Sequence, residues 1–312
     1  MSGPIPAQGT KPSASVGGRI WVLLDREDVL GYVLVAPVIL IVLGLNGYPF
    51  FLALSLSLTD KEIGFPGQFV GLNNYIKLLQ DGIYLQTVRN TVVFTIGAEL
   101  LKIPIGLALA LVLNERIILR KAIRSVALLP WIVPAVLSAM AWTWMFNPNF
   151  SVLNWILINL GLSQTGINWL TDPNTAMFSV VLVNAWRGSP FFGIILLAAI
   201  QAIPNDLYEA TAVDGAGRWA RFRHVTLPLV MPILLIAILL STIATFADFN
   251  IVYTITGGGP MNSTHVLATH SYATALEAGR MGEGAAISLT MFPPLLALLI
   301  LEIRYLNRRT AE

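Results

Sequence analysis

Six apolar stretches, each long enough to cross a bilayer, constrain this chain more than any other feature. Crossing the hydrocarbon core as a helix takes roughly 20 consecutive, mostly apolar residues. Such stretches lie near residues 29–58, 86–113, 124–146, 177–201, 226–250 and 285–306. Composition agrees. Of the residues 55% are hydrophobic and 12% charged, where a soluble domain carries about 25% charged residues. The interruptions hold turn residues, such as Asn147-Pro148-Asn149 and Gly257-Gly258-Gly259-Pro260. The expected fold class is therefore an all-α membrane protein, a six-span helical bundle over residues 26–312. The first stretch exceeds what a bilayer requires, so Pro37 and Pro49 are expected to kink it and its outer end to leave the membrane.

Charge then gives a direction. Arg19 and Arg26 precede the first stretch, and Arg116, Arg120, Lys121 and Arg124 separate the second from the third. Arg218, Arg221 and Arg223 follow the fourth, and Arg304, Arg308 and Arg309 close the chain. The alternate loops hold only Lys61 and Lys77, then none in residues 147–176, then Arg280. This is a positive-inside bias, and it predicts both termini on the cytoplasmic side. The net charge is +2 and the basic residues flank spans instead of forming a patch, so no nucleic-acid partner is expected. Absence of cysteine excludes disulfides, thiolate metal sites and a cysteine nucleophile. Residues 1–25 are rich in Gly, Pro, Ser and Ala and are expected to be a disordered cytoplasmic tail; they lack the pattern of a cleaved signal.

The polar segment at 202–228 reads as a helix–turn–helix along the inner membrane face. Asn205 or Asp206 can cap a short helix, and Asp206-x-x-Glu209 has capping-box spacing. Leu207 through Asp214 is a helix window that Gly215 can end in the left-handed conformation. Arg218 to His224 can form a second short helix, and Pro228 suits the first turn of the next span. The small residues Ala210, Ala212, Gly215, Ala216 and Gly217 allow another protein surface close approach.

This segment resembles the EAA loop of the membrane subunits of bacterial ABC importers. Glu209, Ala210, Gly215, Leu227 and Pro228 match that signature, and Thr211 departs from its third letter. The resemblance implies a type I importer permease without an ATP site of its own. It also implies that Tyr208, Glu209, Ala210, Asp214, Gly215 and Ala216 dock on an ATPase. Phe249-Asn250 through Gly257-Gly258-Gly259-Pro260, and Gly71-Leu72-Asn73-Asn74-Tyr75, resemble segments of the carbohydrate-uptake branch.

Polar residues inside spans are costly and usually face a cavity or a partner. Asn184, Arg187, Gly188 and Phe191 share one helical face, and Ser241, Thr245 and Asp248 share another. Two such stripes suit a hydroxyl-rich ligand, with Trp186 and Phe191 as aromatic surfaces. Similarity to maltose-type permeases places sugar-contacting positions on the same seven residues. Arg187, Phe191, Thr245 and Asp248 depart from that pattern in type. The competing reading is hydrogen bonding between helices, with Arg187 and Asp248 as a structural ion pair.

Other polar residues carry less. Glu99 and Lys102 stand i, i+3 within a span and are expected to pair. His224, His265 and His270 show no metal-ligand spacing, and the last two are expected on an outer surface. Asp206, Glu209 and Asp214 carry no catalytic constellation. Trp142 and Trp144 read as an interfacial anchor. The resemblance implies one of two related permease subunits in a bacterial inner membrane, in contact with lipid. Two cytoplasmic ATPases would hold ATP and Mg, and an extracytoplasmic binding protein would deliver the sugar. This chain would hold no cofactor. A permease for a polyol or glycerol phosphate, or an ion-coupled secondary transporter, are the alternatives.

Overall fold

The computed structural model describes residues 27–115 and 118–310. The tail of residues 1–25, with Arg19, and also Arg26 and Arg116, lies outside them. Among the described residues all regular structure is helical, apart from an isolated bridge between Thr59 and Phe69. Five helical segments are long and apolar enough to cross a membrane, and a bent pair makes a sixth.

The chain divides after Ala53 into two units. The first holds α1 (Glu27–Val42) and a wide π turn (Leu43–Gly47), and leads into α2 (Tyr48–Ser57). Val29–Ser57 forms one apolar segment. Pro49 cannot donate a backbone hydrogen bond, and its ring crowds the carbonyl four residues earlier. The π turn ends two residues before Pro49 and relieves both problems.

The second unit is built around two long helices, α4 (Gly82–Asn114) and α8 (Pro173–Gln201), which form the most extensive helix pair. Each has a clear start. Asp81 accepts from the Ile83 amide, and Asp172 accepts from the amides of Asn174 and Thr175, with Pro173 in the first turn. The two helices run parallel and in step, because Gly97 meets Val181, Lys102 meets Gly188, and Gly106 meets Phe192. Glycine permits this approach. A Cβ at Gly106 would stand 2.2 Å from that of Phe192, and one at Gly188 would stand 2.7 Å from Lys102 Cε. Small residues at the crossing are how membrane helices gain packing contact where lipid removes the hydrophobic drive.

The third stretch, expected as one span over 124–146, is instead two helices, α5 (Arg120–Ile132) and α6 (Ala135–Met145), bent by 92°. Proline at 134 disfavours helical geometry at Val133, which is extended at φ −64° and ψ 133°. The stretch expected at 226–250 also differs. Its helix begins earlier, running from Arg218 through α10 (Arg218–Arg221), a second π turn (Phe222–Thr226) and α11 (Leu227–Phe246) as one segment. Pro228 falls in the first turn of α11, as expected, and again stands two residues after a π turn. The helix stops at Phe246, short of residue 250.

Residues beyond that stop do not form a plain outer loop. Helix α12 (Asn250–Thr256) packs against α6 and α8. Ile251, Val252 and Ile255 are buried with Phe94, Phe146, Val180 and Val183 in one core cluster. Gly257 and Gly258 take positive φ, and the Gly258 backbone lies against the His265 ring. Helix α13 (Leu267–Tyr272) follows, then α14 (Met281–Leu289) and α15 (Phe292–Thr310). A second core cluster, including Leu113, Phe192, Leu196, Val225 and Val230, lies towards the other end of α4 and α8. Two short helices, α3 (Asn73–Gln80) and α7 (Val152–Asn159), occupy the connections before α4 and before α8.

Candidate functional site

All seven of the predicted in-span positions line one cavity of about 270 Å³. Asn184, Arg187, Gly188 and Phe191 come from α8, and Ser241 and Thr245 from α11. Asp248 completes the set, although it is not on the α11 face: it sits in the break between α11 and α12. There its carboxylate accepts from the Ile251 amide at 3.2 Å, and so satisfies a free N–H at the start of α12. Its other oxygen accepts from Asn184 Nδ2 at 2.8 Å. Asn184 Oδ1 is enclosed and has no partner, as is Arg187 Nε. No ion pair joins Arg187 to Asp248 among the described residues, so the two side chains line the cavity wall without pairing.

Beneath them lies a buried ion pair. Lys102 Nζ stands 3.2 Å from Glu99 Oε1, with both side chains at least nine-tenths buried. The ammonium also donates to Thr245 Oγ1 at 2.6 Å and to Ser241 Oγ at 3.3 Å. The Ser241 hydroxyl donates to Glu99 Oε1 at 2.7 Å, and the Thr245 hydroxyl donates to the Ser241 carbonyl at 2.7 Å. Both hydroxyls are thus held by α4, and what they offer the cavity is acceptor capacity.

Five wall residues escaped sequence reasoning, the apolar Leu240, Ala244 and Ile251 and two with more chemistry, Lys102 and Trp131. Lys102 lines the cavity, where the sequence placed it only in a pair with Glu99. An intramembrane charge is by default a functional candidate, and that signal was present. Trp131 of α5 also lines it and tilts against Phe191 at 6.3 Å between ring centroids. It takes the place expected for Trp186, which packs edge-on against Trp142 at 5.5 Å and does not line the cavity. Trp142 is accordingly part of the core packing, and Trp144 alone is exposed as an anchor would be. His265 and His270 are half-buried, with rings 5.8 Å apart and bonds to Thr269 and Thr87, and so are not free surface residues.

The 202–228 segment forms a second candidate site. Helix α9 (Asn205–Val213) ends in a Schellman turn: the Ala216 amide bonds the Thr211 carbonyl, and the Gly215 amide bonds that of Ala212. Gly215 has φ +78°. The expected cap is absent. Pro204 holds the N-cap position, no side chain caps the helix, and Asn205 and Asp206 lie inside its first turn. Tyr208 faces inward, its hydroxyl 3.0 Å from Thr226 Oγ1, and is half-buried like Ala216. Glu209, Ala210, Asp214 and Gly215 are exposed. So are Val213 at 88% and Trp219 at 70%, which leaves an apolar surface beside the acidic residues.

Comparison with known proteins gives the family. The model of the binding-protein-dependent transport system inner membrane component matches residues 102–312. The trehalose/maltose transport system permease protein MalF of Thermococcus litoralis is 38% identical over 280 residues, covering 89% of this chain and 94% of that protein. The sulfoquinovosyl glycerol transport system permease protein SmoG of Agrobacterium fabrum is 35% identical, covering 86% and 88%. The crystal structure of a bacterial ABC transporter involved in the import of the acidic polysaccharide alginate contains a similar fold. There the TM-score is 0.78 at 24% identity, covering 93% of this chain and 99% of that one.

Proposed function

Because this chain belongs to the family of binding-protein-dependent transport system inner membrane components, we propose that it is the permease subunit that lets a sugar or oligosaccharide pass through an ATP-driven importer. It is a multi-pass inner-membrane protein. The observation that carries the sugar reading is the cavity between α8 and α11. Its free polar capacity consists largely of acceptors, namely Asn184 Oδ1, the Asp248 carboxylate and the hydroxyl lone pairs of Ser241 and Thr245. Arg187 supplies donors, and Phe191 with Trp131 supplies an aromatic wall. Ligand hydroxyls can both donate and accept, so a polyhydroxylated ligand answers this wall group by group.

The remaining parts follow from this reading. One chain offers one wall, so a second related permease completes the pathway. Two cytoplasmic ATPases, holding ATP and Mg, receive the exposed face of α9 through Tyr208, Glu209, Ala210, Asp214, Gly215 and Ala216. An extracytoplasmic binding protein presents the sugar at the opposite face, and both termini are cytoplasmic. Transport is alternating access: closure of the ATPases shifts α9, and the sugar crosses because the two states bind it differently. Arg187 favours a second solute class, one bearing an anionic group, and a relative named as an sn-glycerol-3-phosphate permease is 31% identical. Asp248 on the same wall opposes that class.

Purification of the intact complex, with mass spectrometry of its subunits and bound solute, tests this reading. A second permease, an ATPase and a bound neutral sugar are expected. A complex without an ATPase would overturn the reading, and a bound phosphate ester would shift it to the second class.

A further inference from the structure

A second cavity, of about 520 Å³, lies between the N-terminal halves of α4 and α8 and shares no lining residue with the site described above. Both helices start at the membrane face opposite the 202–228 segment, since that segment follows the far end of α8. Both walls change character in the same direction. On α4 the lining runs from Arg89 and Asn90 to Val93, and on α8 from Asn174 to Phe178 and Val181. The polar residues are at the starts of the helices and the apolar ones deeper.

Depth fits a lipid. Helix α4 has 33 residues, about 50 Å at 1.5 Å each, against a hydrocarbon core of about 30 Å. Roughly 10 Å of each end therefore lies at headgroup level, and Arg89 stands about seven residues, again roughly 10 Å, from the helix start. Val93 and Phe178 are exposed at the cleft, which leaves it open at its side. Its deep end closes where Val181 meets the Gly97 backbone.

Charge fits as well. Among the described residues Arg89 is the one charged residue lining the cavity, and no carboxylate lines it. Among the described residues the Arg89 side chain has no hydrogen bond or ion pair. Ser263 Oγ, also on the lining, is enclosed and without a partner. A sugar path would need polar groups through its depth, and this cleft loses them within two helical turns. We infer that the cleft binds one anionic phospholipid, its phosphate on Arg89 and an acyl chain along Val93, Phe178 and Val181. This rests on the chain spanning a membrane and not on which solute it carries.

Native mass spectrometry of the complex, after equilibration in vesicles of equal parts phosphatidylglycerol and phosphatidylcholine, provides the test. One phosphatidylglycerol should be retained per copy of this chain in preference to phosphatidylcholine. Arg89→Gln should lower retention about tenfold, the effect of losing one charge-assisted bond. Val93→Trp, which fills the cleft without touching its charge, should also lower it, and decides the matter if Arg89→Gln does not assemble. Equal retention of the two lipids, no retention by the wild type, retention unchanged in Val93→Trp, or displacement by inorganic phosphate alone would overturn the inference.

Discussion

Asn184 has one amide donor committed to Asp248 and one enclosed carbonyl oxygen with no partner. Removing Asn184 deletes groups from the cavity wall, and removing Asp248 also frees the Ile251 amide that it holds at the start of α12. Asn184→Ala and Asp248→Ala are each expected to weaken uptake affinity several-fold to about tenfold, the worth of one hydrogen bond to a neutral ligand. The readout is the KM of labelled-sugar uptake alongside the yield of assembled complex; unchanged KM in both variants would remove them from the site. Lys102 should behave differently. Lys102→Met strands the Glu99 carboxylate in a buried position, which costs about 3–5 kcal/mol, and the variant should lose thermal stability in detergent. Lys102→Met with Glu99→Gln should recover most of it, and failure of the double variant to recover would refute the pairing as the cause. At this scale the sequence showed polar residues where lipid would penalise them, and it placed Asn184 and Asp248 on two polar stripes, although Asp248 stands in the break after α11 and its bond to Asn184 is seen only in the structure. It could not show Trp131, whose place depends on the 92° turn at Pro134, nor that Lys102 holds the two hydroxyls, which depends on α4 lying beside α11.

Among the elements, α9 and its turn were the most legible. Gly215 read as left-handed from its neighbours alone, because a Schellman turn is local. The N-cap was misread, since Pro204 takes the place that Asn205 or Asp206 could have filled, and no long-range information was needed to mislead. The break at Val133 was missed because apolar composition continues straight across it, and the stop at Phe246 was missed although Asp248 and Asn250 follow it within four residues. Gly215 has φ +78°, and a β-branched residue there costs of order 1–3 kcal/mol. Gly215→Val should therefore distort the turn and release the ATPase on purification, while the partner permease stays bound. Glu209→Lys should also lose the ATPase, by reversing a charge on an exposed docking face without changing the backbone. Wild-type ATPase retention in both would detach α9 from that role.

For the whole molecule, the spans and their order were readable because bilayer thickness sets segment length. The buried packing of residues 250–272 was not, because a polar, glycine-rich sequence between spans reads as loop whether or not it folds back into the core. The charge bias predicts an orientation that direct labelling can test. On this cysteine-free chain a cysteine at position 218 should resist an impermeant reagent added to intact cells, and one in residues 147–176 should react. The reverse pattern would invert the chain. Transport itself is the most direct test. With the complete complex in sealed vesicles, binding protein outside and ATP at the ATPase face, labelled sugar should accumulate inside against its gradient. Accumulation should stop without ATP or without binding protein, and persist when ion gradients are collapsed. Uptake that instead needs an ion gradient and ignores ATP would contradict the account.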